Sequence, residues 1–128
     1  MSITASINGN IQLTDSSTGT IALKKVLTAL SFTGLEFSEA QSVSLVSGTN
    51  PITLPQATVQ FAYIKNVDPT ATINVTWTCK GLATLVAAHL GPGGAIMFYE
   101  PVATNGGITA LDLNSSATPC LVEYILAG

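Results

Sequence analysis

The fold is decided by two neighbouring stretches, residues 59–79 with the sequence VQFAYIKNVDPTATINVTWTC and residues 90–101 with the sequence LGPGGAIMFYEP. Residues 59–67 are β-branched or aromatic at most positions, which favours a β-strand. Residues 73–79 alternate strictly between apolar and polar side chains, which predicts a second strand with one buried face. Asp68-Pro69-Thr70 between them has turn chemistry, because proline presets φ and the aspartate can bond the backbone just after it. The simplest prediction is a hairpin.

Two further strands follow on the same pattern. Leu82 to Leu90 form an apolar run that ends at Gly91-Pro92-Gly93-Gly94, where the chain must reverse. Ile96 and Phe98 then open a strand that stops at Pro101. Short strands joined by short turns predict an antiparallel all-β protein.

The strand count over the whole chain narrows the fold class. About eight to ten strands with almost no helix are typical of a two-sheet sandwich of the jelly-roll type. The side chains predicted to be largely buried between its two sheets are Phe61, Tyr63, Val75, Trp77, Ile96, Phe98, Val122 and Tyr124. An immunoglobulin-like sandwich is the alternative. Such domains usually show the order Cys, Trp, Cys, whereas Trp77 precedes both Cys79 and Cys120.

The length of 128 residues predicts a single β-sandwich domain over residues 1–128, with residues 1–14 as an N-terminal hairpin or arm. In that segment, isoleucines alternate with small polar residues on both sides of Asn8-Gly9, a dipeptide that accepts the positive φ angles of a tight turn. The sequence leaves open whether this hairpin lies on the body or extends from it. Residues 20–32 fit both a helical stripe and a strand, and we predict a strand because of their β-branched content and flanking strands.

The composition is poor in charge and rich in apolar residues. Only 9% of the residues are charged, 47% are hydrophobic and the mean hydropathy is +0.48. Soluble monomers rarely leave large apolar patches in water, so we expect another protein surface to cover part of this one.

Charge also excludes several classes of partner. A net charge of −3, with four scattered lysines as the cations, cannot supply the cationic cluster that nucleic acid or an anionic membrane surface requires. No uncharged apolar run reaches the roughly 18 to 20 residues of a membrane span. Residues 1–6 lack the positive and apolar regions of a signal peptide, so we expect no export.

No pattern of side chains predicts catalysis, a metal or a cofactor. His89 is the one histidine, and a metal site generally needs at least two such ligands, so we predict a structural role. Asp112 and Glu123 could meet across a sheet as a carboxylate pair, but surface positions are the stronger prediction. Residues 91–94 lack the Lys-Ser/Thr ending of a phosphate loop and are predicted to be turn glycines. We therefore predict a protein that is not an enzyme.

Three sets of residues have open roles. Cys79 and Cys120 could form a disulfide, but without a signal peptide we predict free thiols. Trp77, Met97 and Tyr99 suit a core or an interface equally. The final strand, residues 120–127, is apolar on both faces, which predicts the middle of a sheet or a subunit contact. The predicted interface residues come from this strand and from the N-terminal segment: Ile3, Ile7, Ile11, Leu13, Leu121 and Ile125.

The chain resembles the small structural proteins of tailed bacteriophages, of the jelly-roll capsid-decoration or fibre kind. The resemblance is carried by residues 59–66, 75–78, 90–93, 107–111 and 122–128, and most of all by the phrase from Phe61 through Lys65 to Trp77. It implies a homotrimer displayed in many copies on a virion and made in the host cytoplasm.

The resemblance leaves two functions open. The first is a capsid decoration, or cement, protein that binds the major capsid protein on the outer surface, with the N-terminal segment on the shell and the final strand between subunits. The alternative is a tail or fibre domain that binds a host-surface carbohydrate. With only 6% aromatic residues to stack on sugars, the sequence favours the first.

Overall fold

The computed structural model describes residues 3–14, 16–19, 21–35, 38–100 and 106–128, with the backbone path alone for residues 3–13, 21–35 and 38–40. These residues form ten strands and no helix: β1 (Ile3–Thr14), β2 (Ile21–Leu35), β3 (Ser38–Leu45), β4 (Gly48–Ile52), β5 (Phe61–Asn66), β6 (Ile73–Cys79), β7 (Val86–Leu90), β8 (Ala95–Tyr99), β9 (Ile108–Ser115) and β10 (Cys120–Ala127). The chain divides into two compact units, Met1–Leu35 and Glu36–Gly128. The prediction of a single domain over residues 1–128 stays a prediction.

The first unit is a two-stranded antiparallel hairpin of β1 and β2. The turn predicted at Asn8-Gly9 is wrong, because this dipeptide lies within β1 and the chain instead turns at residues 16–18. The pairing of β1 with β2 continues on both sides of the dipeptide, with a register shift between Ile7 and Gly9. Extended pairing along a long partner strand therefore overrides the local turn preference. The strand predicted for residues 20–32 is confirmed by β2 from Ile21 onward.

The second unit consists of two four-stranded antiparallel sheets. The first sheet has the strand order β3-β10-β5-β8, and the second has the order β4-β9-β6-β7. The side chains that face the interior are nearly all apolar and fully buried, among them Ile64, Val122 and Leu126 from the first sheet and Ile73, Val75 and Leu113 from the second. The predicted all-β, antiparallel two-sheet sandwich is confirmed.

The hairpin predicted between β5 and β6 is wrong. β5 pairs with β10 and β8, whereas β6 pairs with β9 and β7. Residues 67–72 therefore carry the chain from the first sheet to the second, and residues 91–94 carry it back. Each of these strands has an apolar inward face, and a crossing lets consecutive strands bury those faces against each other. Gly93, with a φ of 78°, is a turn glycine as predicted.

The inward face of β5 is the one that carries its smaller side chains. Ala62 and Ile64 are buried, whereas Phe61 and Tyr63, which the sequence would place in the core as the bulkier set, are half-buried on the outer face. Cross-strand register explains the choice, since Ile64 lies opposite Tyr124 and Ile96, which also face inward. The remaining predicted core residues are buried in the core or packed against it: Val75, Trp77, Ile96, Phe98, Val122 and Tyr124.

A buried amide holds both crossings at one end of the sandwich. The side chain of Asn66 is fully buried, and its Nδ2 donates to the carbonyl oxygens of Ala71 at 2.8 Å and Leu90 at 3.2 Å. Its Oδ1 accepts the backbone N–H of Asp68 at 3.1 Å. Its own backbone exchanges hydrogen bonds with residues 93–94. A buried polar group with all its bonds made fixes its neighbours firmly, because any movement leaves it unsatisfied in a low dielectric.

The carboxylate of Asp68 extends this cluster to the start of β10. Its Oδ1 accepts the backbone N–H groups of Thr70 at 2.9 Å and Ala71 at 2.8 Å, which confirms the predicted bonding of Asp68 to the backbone just after it. Its Oδ2 accepts the N–H of Leu121 at 3.3 Å. The backbone bonds from Ala71 and Thr70 lower the pKa of the Asp68 carboxyl from its ordinary value. The 67–72 crossing is therefore tied to the strand that presents Leu121.

Candidate interaction surface

The outer side of the first sheet carries several apolar and aromatic side chains. Cross-strand register puts Ile125 opposite Tyr63, Tyr63 opposite Met97, and Phe61 opposite Tyr99. With Leu121 near the start of β10, these residues form one surface that we name the apolar face: Phe61, Tyr63, Met97, Tyr99, Leu121 and Ile125.

Three aliphatic side chains of the apolar face are strongly exposed. Met97 is 49% exposed, Leu121 is 45% exposed and Ile125 is 44% exposed. Full burial of such a side chain contributes roughly 1.5 to 3 kcal/mol relative to full exposure. Covering the exposed half of each would therefore stabilise a complex by roughly 1 kcal/mol per side chain. The apolar face has the chemistry of a protein contact.

Two opposite charges separate Leu121 from the rest of this face. Lys65 on β5 is directly opposite Glu123 on β10, between the row of Ile125 and the row of Leu121. A cross-strand pair of opposite charge contributes modestly to pairing of the two strands. A contact that covers this row would have to bring the two charges together or leave them in solvent.

The outer side of the second sheet is polar and nearly uncharged. One row across all four strands consists of Thr49, Asn114, Asn74 and His89, each of them exposed. Asn114 Nδ2 donates to Thr49 Oγ1 at 3.0 Å, and His89 Nδ1 lies 2.6 Å from Asn74 Oδ1. Thr76 and Asp112 lie opposite each other in the next row. We name this surface the polar face.

The predicted interface residues fall into two groups. Leu121 and Ile125 lie on the apolar face, and β10 lies in the middle of its sheet between β3 and β5, as its two apolar sides indicated. The side chains of Ile3, Ile7, Ile11 and Leu13 lie outside the residues whose side chains the structure describes. Their role as contacts stays a prediction.

The side chains considered above for catalysis or metal binding lie on different parts of the sandwich. Asp112 is in the second sheet and Glu123 in the first, so they do not meet as sheet neighbours. Among the described residues, no three His, Cys, Asp or Glu side chains come together as a metal site. Within the same residues, no helix has the length and apolarity needed to cross a membrane.

The two cysteines occupy different sheets. Cys79 ends β6 and is half-buried, whereas Cys120 begins β10 and is fully buried. Both are free thiols in the structure. A buried thiol in an apolar environment behaves as a small hydrophobic side chain, so Cys120 serves the core.

A shallow groove crosses the apolar face. Its volume is about 290 Å³, and the residues along it include Gln41, Ser42, Tyr63, Glu123 and Ile125. Gln41 lies opposite the inward-facing Tyr124, so the outward groups around the depression are an aromatic ring, a carboxylate and a hydroxyl. This is a combination that can both stack on and hydrogen-bond to a polar ligand.

Sequence reasoning missed most of the apolar face, since it assigned Phe61 and Tyr63 to the core and left Met97 open. The available signal lay in Lys65, which shares its side of β5 with Phe61 and Tyr63 and favours solvent on that side. Asn66, on the side of Ala62 and Ile64, gives the opposite indication. An asparagine normally marks the solvent side of a strand, and here it is buried because the crossings supply its hydrogen-bond partners.

The fold and this surface together define a class: a two-sheet antiparallel β-sandwich with one apolar and one polar outer face. Comparison of the chain with known protein families, curated proteins and solved structures found no match of any of the three kinds.

Proposed function

We propose that this chain is a capsid decoration protein of a tailed bacteriophage, which binds the outer capsid surface as a homotrimer and stabilises the shell. The observation that carries the proposal is the apolar face, where Met97, Leu121 and Ile125 remain about half exposed. An exposed apolar sheet face on a chain with few charges favours an oligomer over a monomer. The location on a virion and the trimeric state are inferred from the resemblance to phage structural proteins.

The strand order supports the finer fold assignment, a jelly roll. In the sandwich, the first strand β3 pairs with the last strand β10, and the second strand β4 pairs with the second-to-last strand β9. The inner pairs, β10 with β5 and β9 with β6, continue the same nesting. Two such interleaved four-stranded sheets correspond to the two Greek keys of a jelly roll.

Assembly through the apolar face explains how such a protein would work. Three copies can close a ring round a threefold axis when each copy uses one part of its face toward each neighbour. Contact with the major capsid protein is assigned to the N-terminal segment with Ile3, Ile7, Ile11 and Leu13. A protein that binds only the assembled shell stabilises it by mass action. The proposal requires no catalytic residue and no cofactor.

Sedimentation equilibrium tests the assembly. The wild-type chain should sediment as a trimer, and Ile125→Asp should sediment as a monomer, because a carboxylate at the centre of the face would have to be desolvated. Leu85→Asp is the matched control, since Leu85 is 68% exposed but lies outside the apolar face. This variant should remain a trimer. A wild-type monomer, or dissociation of both variants alike, would refute assembly through this face.

Binding to purified phage shells tests the virion role. Labelled wild-type protein should decorate the capsid and not the tail in electron micrographs. Deletion of residues 1–14 should abolish decoration; because β1 pairs with β2 along its length, deletion of residues 1–35 is the cleaner variant. Both should retain the circular dichroism signal of a β-sheet. Label on the tail, or decoration that survives both deletions, would contradict the proposal.

A tail or fibre domain that binds host carbohydrate is the second candidate, and the groove on the apolar face favours it. Tyr63 lies beside Glu123 there, and an aromatic ring next to a carboxylate is the pairing that stacks on a sugar and bonds its hydroxyls. Glycan-array binding that is lost in both Tyr63→Ala and Glu123→Gln would support this function. Because the groove lies within the face used for assembly, a chain that binds glycans as a monomer would displace the first proposal.

A further inference from the structure

A second cavity lies inside the sandwich, between the two sheets. Its volume is about 210 Å³, and its lining comes from β5 and β8 of the first sheet and from β6 and β9 of the second. Every lining side chain is apolar, and the deepest of them are Ala62, Ile64, Ile108 and Leu111, which are at most 2% exposed. The space therefore belongs to the core and is separate from the groove on the outer surface.

A cavity of this kind is unfavourable when empty. Water gains nothing from entering it, because an ordered water needs two to four polar partners. The lining atoms in turn lack the dispersion contacts that close packing would give them. An apolar cavity of about 150 Å³ is known to stay dry and to hold one benzene molecule. The cavity between these sheets, at about 210 Å³, is larger and has room for a substituted ring or a short alkyl chain.

The cavity has a mouth as well as a closed end. Trp77, Ile96 and Phe98, which are half-buried, and Met97, which is 49% exposed, also line it, in contrast to the fully buried residues at the deep end. A ligand can therefore enter past the large side chains at the mouth without separation of the two sheets. Burial of an apolar ligand by such a pocket is driven by its removal from water.

We infer that this cavity is a binding site for a small uncharged apolar molecule, a single aromatic ring or a short alkyl chain. The absence of polar lining side chains excludes a charged or sugar ligand at this site, because its polar groups would be buried without hydrogen bonds. Met97 is the one residue of the apolar face that also lines this cavity. Leu121 and Ile125 lie on the opposite side of the first sheet, so Ile125→Asp should leave ligand binding unchanged.

The chain carries its own reporter for this site, because Trp77 is its one tryptophan and lines the cavity. Titration of the full chain with bromobenzene should quench Trp77 emission with a saturable curve, since the bromine atom would lie against the indole. Benzene should compete with this quenching and should raise the thermal unfolding midpoint, because a ligand that binds only the native state stabilises it. Phenol-sulfonate, which carries a charge, should do neither.

Ala62→Leu tests whether the ligand occupies the cavity. The added carbons fill the space, so saturable quenching should be lost. Ala95→Leu is the matched control, because Ala95 lies on β8 but is exposed outside the sandwich. That variant should bind bromobenzene as wild type does. Absence of quenching in wild type, or linear quenching of equal size in all three proteins, would overturn the inference.

Xenon gives a measurement that does not depend on any substitution. Dissolved xenon should show a saturable, protein-dependent NMR shift with the wild-type chain, and benzene should reverse it. If Ala62→Leu fails to fold, this competition alone decides the matter. A xenon shift that benzene leaves unchanged would refute a shared apolar site.

Discussion

The two outer faces of the sandwich are built from the same kind of strand but meet different surroundings. On the first sheet the outward positions hold aromatic and aliphatic side chains, such as Tyr63, Met97 and Ile125. On the second sheet the equivalent positions hold amides and hydroxyls, such as Asn74 and Asn114. The shared interior fixes the fold, and the outward residues decide what each sheet contacts.

The difference also shows how a chain with so few charges remains compatible with water. The row of Thr49, Asn114, Asn74 and His89 satisfies part of its hydrogen bonding within itself and the rest with solvent. The apolar face has no such means, so its exposure carries a cost that another protein surface can remove. Of the two faces, the apolar face is the one whose burial would be favourable.

The largest expected effect is a difference in the free energy of unfolding between substitutions on the two sides of β5. Ile64→Ala should lower the free energy of unfolding by about 2 to 5 kcal/mol, because Ile64 is fully buried between the sheets. Tyr63→Ala, one position away on the apolar face, should cost less than about 1 kcal/mol. Urea unfolding in an Ile125→Asp background removes any contribution of assembly. Equal losses at both positions would mean that the apolar face is part of the core.

This pair of residues also shows how far the sequence predicts the fold. Alternation correctly predicts the strand and the sandwich, because alternation is a local property of the chain. It does not predict that Ala62 and Ile64 face inward in place of Phe61 and Tyr63, because both sides of β5 are apolar. The local sequence pattern also does not predict which strands pair with each other. The 67–72 segment has the chemistry of a hairpin turn, yet it crosses between sheets, and part of its hydrogen bonding goes to distant residues such as Ser116 and Leu121.

For the candidate surface, the outcome is similar. The sequence identifies Leu121 and Ile125 through the apolar second side of the final strand, and the structure exposes both. Met97 and Tyr63 join them only through cross-strand register, which depends on the sheet order and cannot be obtained from either strand alone.

The next largest effect is expected at Asn66, whose buried side chain bonds at both crossings between the two sheets. Asn66→Ala should cost roughly 2 to 4 kcal/mol, because the buried carbonyl groups of Ala71 and Leu90 would lose their donor. The matched control is Asn74→Ala, the same substitution on the polar face, where solvent replaces the lost bonds. It should cost less than about 0.5 kcal/mol. Comparable losses in urea unfolding would show that the polar face is not simply solvated.

Acid should weaken the same end of the sandwich. The pKa of Asp68 is lowered by the backbone N–H groups of Ala71 and Thr70, so the unfolded chain takes up the proton more readily than the folded one. The stabilisation is fully present above the ordinary pKa of 3.8 and is lost as pH falls through the lowered folded value.

Thermal unfolding from about pH 6 down to about pH 2 measures this loss. Asp68→Asn should be less stable than wild type at the upper end, and the difference between the two proteins should shrink toward the acid end. Asp112→Asn removes a charge of the same sign from the polar face. This variant should lose stability on acidification as the wild type does. A difference between Asp68→Asn and wild type that stays constant over the range would contradict this account.

The smallest effect is expected on the polar face. His89→Gln should change the free energy of unfolding by less than about 0.5 kcal/mol, because the His89 pair with Asn74 is exposed and glutamine can also bond to an amide. Sedimentation of this variant should match wild type. Loss of assembly would show that both faces, and not the apolar face alone, make contacts.

The positions of β9 and β10 have a consequence for how the chain folds. Both strands come last among the ten, yet each is an inner strand of its sheet, β10 between β3 and β5 and β9 between β4 and β6. During synthesis, β3, β4 and β5 therefore emerge before the strands they pair with. Such long-range pairing is slow, because a large loop must close before any contact forms. Until then the early strands have open edges in a segment with few charges to discourage aggregation. Neither sheet can be completed before β9 and β10 have been made.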